Sequence, residues 1–134
     1  MAANMIENIR LDQDTKIRLS TLKRRTGIEH WNTLCRWAFC LSLTDATPPR
    51  ELHEKGIGAV EMTWKTFAGD EDDVYAALLR ARAQLDHGST ERDTLSTTVR
   101  HHISRGTARL VAKRDLKSIK DLLNIALAVS AQEP

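Results

Sequence analysis

Residues 6–43 constrain the fold of this chain more than any other stretch, because they call for a β-strand that cannot stand alone. In Glu7-Asn8-Ile9-Arg10-Leu11-Asp12, apolar Ile9 and Leu11 alternate with polar Asn8, Arg10 and Asp12, so one face is oily and the other wet. Asp14 or Thr15 caps the helix that follows, Leu19 and Leu22 share one of its faces, and Gly27 ends it. A second helix runs over residues 28–43, with Ile28, Trp31, Leu34, Cys35, Ala38 and Leu41 on one stripe. A single four- to six-residue strand gains nothing without a partner strand, and a second copy of the chain is the simplest source of one.

Strand, helix, tight turn, helix is the order found in ribbon-helix-helix DNA binders, so the fold class expected is mainly α. A ribbon-helix-helix-like start is followed by about three further helices and at most two short strands. The connection 44–58, with Pro48-Pro49, Gly56 and Gly58, reads as irregular. It separates a strand-helix-helix half (1–43) from a helical half (59–134) within one domain. Residues 59–65 alternate again, Val60, Met62 and Trp64 against Glu61, Thr63 and Lys65, and predict a strand. A helix over 71–86 carries the stripe Val74, Ala77, Leu78, Ala81 and Leu85, and Gly88 stops it. Ser89 or Thr90 caps the next, with Leu95, Val99 and Ile103 on one face and an interruption at Gly106. The last helix, 115–130, shows Ile119, Leu122, Leu123, Ala126 and Leu127.

Hydrophobic residues make up 41% and charged residues 28%, an ordinary globular balance that excludes a disordered or fibrous chain. No apolar run approaches the roughly 20 residues that span a bilayer. The N-terminus carries no charged-then-apolar export signal, which points to the cytoplasm. Cys35 and Cys40 lie five positions apart on one helix, a spacing that turns them about 140° away from each other and disfavours a mutual disulfide. Both are read as reduced packing residues.

The net charge of +2 is unevenly spread. Residues 1–43 hold seven Lys/Arg against four Asp/Glu, residues 44–88 five against nine, and residues 89–134 eight against five. Two basic segments thus flank an acidic one, the polarity of a surface that meets a polyanion on one side. Lys16, Arg18, Lys23, Arg24 and Arg25 crowd the first helix, where they serve either as phosphate contacts or as a solvated face complementing the helix C-terminus. Arg100, Arg105, Arg109, Lys113, Arg114, Lys117 and Lys120 form the second set. Arg105 and Arg109, four apart, share an edge if the helix survives Gly106.

Other clusters have plainer explanations. Asp70-Glu71-Asp72-Asp73 resembles a carboxylate metal site, yet acidic residues in a first helical turn are what the macrodipole favours. His101 and His102 diverge by about 100° on a helix and cannot share one ion without distortion, while His30, His53 and His87 are scattered. No metal or cofactor is therefore expected. Walker, dinucleotide, CxxC and nucleophile-elbow motifs are absent from the sequence. Trp31 and Trp64 fit apolar faces, and Trp37 falls at a stripe edge suited to a subunit contact.

Three runs stand out early in the chain: Leu22-Lys23-Arg24-Arg25-Thr26-Gly27-Ile28, Trp31-Asn32, and Arg36-Trp37-Ala38-Phe39-Cys40-Leu41-Ser42-Leu43. Residues 64–69, Asp73-Val74-Tyr75-Ala76-Ala77-Leu78-Leu79 and His101-His102-Ile103-Ser104-Arg105-Gly106 follow in order. Together these runs resemble the DndE family, the small proteins of bacterial DNA phosphorothioation. The resemblance implies a homo-oligomer, a tetramer, that binds double-stranded DNA, nicked DNA above all. It also implies work alongside the other proteins of the sulfur-modification complex. The surface it implies is Lys16, Lys23, Arg24 and Arg25, to which the charge pattern adds Arg18, Arg105 and Arg109. Glu29 at the start of helix two opposes a phosphate there, so backbone binding without base readout by Asn8 or Arg10 fits better. The expectation is a non-catalytic DNA-binding subunit. The alternatives are a metal-dependent nicking endonuclease using Asp70, Asp72 or Asp73 with a nearby histidine, and an adaptor whose basic faces meet acidic partners.

Overall fold

A computed structural model describes residues 5–50 and 55–131, so His53 and positions 51–54 of the 44–58 connection lie outside the described residues. Strand β1 (Asn8–Leu11) leads into α1 (Gln13–Thr26) and α2 (Trp31–Leu43). Strand β2 (Val60–Thr63) then passes directly into the single-turn α3 (Trp64–Ala68), and a 3-10 turn, Gly69–Glu71, precedes α4 (Asp72–His87). The chain finishes with α5 (Arg92–Ala112) and α6 (Ile119–Ala131).

The partner of β1 comes from the same chain, which corrects the expectation of a second copy. β1 and β2 pair antiparallel, Asn8 with Thr63, Ile9 with Met62, Arg10 with Glu61 and Leu11 with Val60. The ladder is extended at its ends by Gly58 N–H to Leu11 O at 3.0 Å and Trp64 N–H to Glu7 O at 2.8 Å. The alternation behaves as the sequence demands: Ile9 and Leu11 are buried, Asn8 and Arg10 are exposed, and Arg10 meets Glu61 across the wet face. Trp64, expected on the strand, instead opens α3, where Thr63 Oγ1 accepts the Thr66 N–H as an N-cap.

Gly27 ends α1 as expected, in the left-handed region (φ 75°) with its N–H on Lys23 O. The N-cap is Asp12 rather than Asp14 or Thr15, and its carboxylate accepts from the Thr15 hydroxyl instead of a backbone amide. α5 is the spine of the molecule, packing on β1, α1, α2 and α4. Its Leu95, Val99 and Ile103 are fully buried, as their spacing requires.

α5 runs unbroken through Gly106. A Cβ there would sit 1.9 Å from the carbonyl oxygen of Ala38, so glycine marks the point where the backbones of α2 and α5 touch. Phe39, Phe67, Trp64 and Tyr75 then fill the space between α2, α3 and α4, Phe39 meeting Phe67 edge-on at 5.6 Å between ring centres.

Two helices turn differently from their sequence stripes. On α4 the buried residues are Ala76, Leu79, Arg82 and Ala83, while Val74, Ala77, Leu78, Ala81 and Leu85 are exposed. The two sets point about 150° apart around the helix. On α6 Leu122 is buried but Ile119, Leu123 and Leu127 face outward. Cys35 is buried and Cys40 exposed, both as free thiols. No described helix is long and apolar enough to cross a membrane.

Gly106→Ala forces α2 and α5 apart and is expected to cost about 3 kcal/mol or more. Urea denaturation checks this, and a loss under 1 kcal/mol contradicts the backbone contact.

Candidate nucleic-acid interface

Helix α1 lies beside α5, and two arginines fix the alignment. Arg18 Nη1 donates to Ser104 O and Oγ, both at 3.2 Å, and seven residues on, Arg25 Nη1 donates to Val111 O at 2.9 Å. Each contact joins residues 86 apart, so the two helices run parallel with a shared basic edge. Around α1 the cluster divides. Lys16 and Lys23 lie on one flank, Arg18 and Arg25 on the opposite flank against α5, and Arg24 at the solvent apex between them. Lys23 and Arg24 are exposed, whereas Lys16, Arg18 and Arg25 are half-buried.

Beyond Arg18 the edge opens into a groove of about 460 Å³ between α1, α5 and the loop after α2. Arg18, Arg50, His101, Arg105 and Arg109 line it, with Pro48 and Pro49 as its far wall. The structure thus brings Arg18, Arg105 and Arg109 together and places Lys16, Lys23, Arg24 and Arg25 along α1. Arg50 is a lining residue that the charge pattern alone did not single out.

The loop forming that wall is held by two arginines, Arg82 buried and Arg105 half-buried. Arg82 of α4 donates through Nη2 to Asp45 O (2.6 Å) and Thr47 O (2.9 Å), and through Nη1 to Leu43 O (3.2 Å). Arg105 donates through Nη1 to Thr47 O (2.7 Å) and through Nη2 to Ser42 O (2.8 Å). Two guanidiniums therefore satisfy carbonyls at the end of α2 and just past it, where the helix dipole is negative. Arg109 reaches Asp45 Oδ2 at 2.5 Å.

A hydrogen-bonded relay links these arginines inside the protein. Arg105 Nε–H donates to Ser42 Oγ (2.7 Å), the Ser42 hydroxyl donates to His102 Nδ1 (2.8 Å), and His102 Nε2–H donates to Asp86 Oδ2 (2.7 Å). Arg82 Nε–H completes it on Asp86 Oδ1 at 2.8 Å. Only one tautomer of a neutral His102 satisfies both neighbours. Burial holds its pKa down, to about 4, against the opposing pull of the Asp86 carboxylate. Burial alone would raise Asp86, but hydrogen bonds from His102 and Arg82 outweigh it and leave its pKa below the ordinary carboxylate value. The Ser-His-Asp order resembles a hydrolytic triad, yet Ser42 and His102 are fully buried and no substrate reaches them.

The acidic run is exposed around the start of α4, whose first turn holds Asp72 and Asp73. Asp70 belongs to the preceding 3-10 turn, and Glu71 rather than Asp70 is the N-cap. Among the described residues no three His, Cys, Asp or Glu side chains gather as a metal ion would need.

The family model for the DNA sulphur modification protein DndE matches residues 8–118. The chain belongs to the DndE family. Among solved structures it is similar to the crystal structure of DndE from Escherichia coli B7A involved in DNA phosphorothioation modification. The identity is 24%, covering 81% of this chain and 99% of that one, with a TM-score of 0.63. At that identity the likeness carries the fold. No curated protein matches the chain. The DndE match ends one residue before α6.

His102 gives a testable pH dependence. The unfolded chain binds a proton at this site near pH 6.5, the folded chain only near 4, so stability falls as pH drops between those values. Between pH 7 and pH 5 the loss expected from His102 is about 2 kcal/mol. Urea midpoints at the two pH values measure it, and His102→Gln should flatten the difference. Equal pH dependence in both proteins would contradict the buried neutral imidazole.

Proposed function

We propose that this DndE-family chain is a non-catalytic subunit of the DNA phosphorothioation system. It grips double-stranded DNA by its sugar-phosphate backbone, in the cytoplasm and alongside the other proteins of that system. The observation that carries the reading is the parallel α1–α5 edge, which holds Arg18 and Arg25 and continues into the groove of Arg18, Arg105 and Arg109, while Arg24 at the apex of α1 and Lys16 and Lys23 on its far flank add charge beside it. Lys23 and Arg24 are exposed for phosphate contact. Among the described residues Arg18 and Arg25 each donate through Nη1, and a guanidinium has further N–H groups to offer a phosphate. Arg105 spends its donors on the loop and contributes charge rather than a free hydrogen bond. A surface of this kind reads charge and shape rather than base edges. A nick makes a duplex easier to bend, so nicked DNA is the form that such a surface seats best.

The reading includes assembly into a tetramer. The ribbon closes within one chain, so the fold does not itself require a partner, but apolar surface remains. Val74, Leu78 and Leu85 of α4 and Ile119, Leu123 and Leu127 of α6 are exposed, Leu85 at 68% and Leu127 at 66%. Two separate apolar faces supply the two different two-fold contacts from which a closed tetramer is built.

The test is a titration of nicked against intact duplex across a salt series, with mass by light scattering. Nicked duplex should bind more tightly, with a steep loss of affinity in salt. The triple variant Lys23→Ala, Arg24→Ala, Arg25→Ala should lower that slope by about two to three. Leu78→Glu should lower the mass without unfolding the chain. A triple variant that binds nicked duplex as tightly as the parent removes the α1 edge from the account, and a monomeric parent removes the tetramer.

A further inference from the structure

We propose that Asp45 is a built-in counter-anion at the arginine groove, occupying Arg109 and Arg105 where a backbone phosphate would otherwise sit, and that it thereby sets the affinity of this face for DNA. The proposal rests on the groove being a phosphate site and adds the residue that tunes it. Asp45 Oδ2 accepts from Arg109 Nη2 at 2.5 Å and lies 3.7 Å from Arg105 Nη1. Its other oxygen is tethered by Thr47, accepting from the backbone N–H at 2.9 Å and the hydroxyl at 2.6 Å. A carboxylate on Arg109 and beside Arg105 presents to them what a phosphate oxygen presents, so the two anions compete for the Arg109 donor and for the charge of Arg105.

The competition can be won by a ligand because the pair is accessible. The Arg109 side chain is 43% exposed and the Asp45 side chain 28%. Thr47 and Arg109 together keep the carboxyl well below the usual carboxylate range, so Asp45 is an anion throughout the range in which DNA is duplex. Four guanidiniums line the groove, those of Arg18, Arg50, Arg105 and Arg109, and Asp45 is the carboxylate paired with two of them. A phosphate arriving at Arg109 displaces Asp45 onto its Thr47 tether and leaves the groove wall in place. That wall does not depend on the carboxylate: the loop is fixed through its backbone carbonyls, by Arg82 on Asp45 O and Thr47 O and by Arg105 on Thr47 O.

Asp45→Asn tests this directly. The amide keeps its oxygen as acceptor for the Thr47 N–H and turns an NH2 toward Arg109, so it removes both the charge and the acceptor that hold that arginine. Glu61→Gln, on the wet face of the ribbon beside Arg10, removes the same charge elsewhere and is the control. Titrated with a nicked duplex over a salt series, Asp45→Asn should bind about three- to fivefold tighter than the parent, with a salt slope steeper by about one. Glu61→Gln should stay within about twofold of the parent.

Equal affinity and slope for Asp45→Asn and the parent overturn the proposal while leaving the groove as a DNA site. Equal gains in both variants overturn it too, as a general charge effect. Binding by Asp45→Asn where the parent shows none supports it in full. If neither binds, the groove reading and the role of Asp45 fall together. An Asp45→Asn protein that does not fold also overturns it, since the loop would then depend on the carboxylate.

Discussion

The end of α2 governs the rest of this molecule. A helix leaves its last carbonyls without partners, and burying them unpaired would cost more than most single contacts return. Here α5 supplies Arg105 and α4 supplies Arg82, and both guanidiniums reach carbonyls between Ser42 and Thr47. That geometry is possible only because Gly106 lets the backbone of α5 lie against Ala38. The buried Arg82 then needs an anion, and Asp86 provides it, joined through His102 and Ser42 to Arg105. Removing any one member strands the others. A buried pair broken at one end typically costs about 3–5 kcal/mol.

This interior arrangement decides what the basic surface offers. Because Arg82 and Arg105 pin the loop, Pro48, Pro49 and Arg50 stand across from Arg18 and Arg109, and a groove exists where an unanchored loop would leave a flat edge. Arg18 and Arg25 bind α1 to α5 while keeping other N–H groups available, whereas Lys23 and Arg24 are free to turn toward a ligand. Charge of one sign is gathered by structure that uses part of that same charge internally.

Much of the fold was legible in the sequence where the determining interactions are local. The alternation at Ile9 and Leu11, the glycine stop at Gly27 and the Leu95–Val99–Ile103 spacing each specify their element by themselves. The intrachain partner of β1 was not legible, because β2 lies some fifty residues on and backbone pairing leaves no mark on side-chain identity. α4 misled for a different reason. Its most apolar stripe is exposed, and its inward face carries Leu79 alone among large apolar residues, because it must bring Ala76 and Ala83 close and deliver Arg82. Gly106 read as an interruption, since a glycine chosen for close approach looks the same in sequence as one chosen to end a helix. The two halves of the candidate site, α1 and Arg105–Arg109, were visible as charge clusters. The groove that joins them was not, for it depends on which carbonyls the arginines answer. The Arg82–Asp86 spacing was the available hint, an ion pair four apart on a helix.

A neutral His102 carries one continuous hydrogen-bonded chain between the end of α2 and Asp86. Nitrogen-15 NMR of its ring at pH 7 reads this out. A neutral ring with its proton on Nε2 and Nδ1 accepting is the expected result, and a doubly protonated ring, or a proton resting on Nδ1, overturns it.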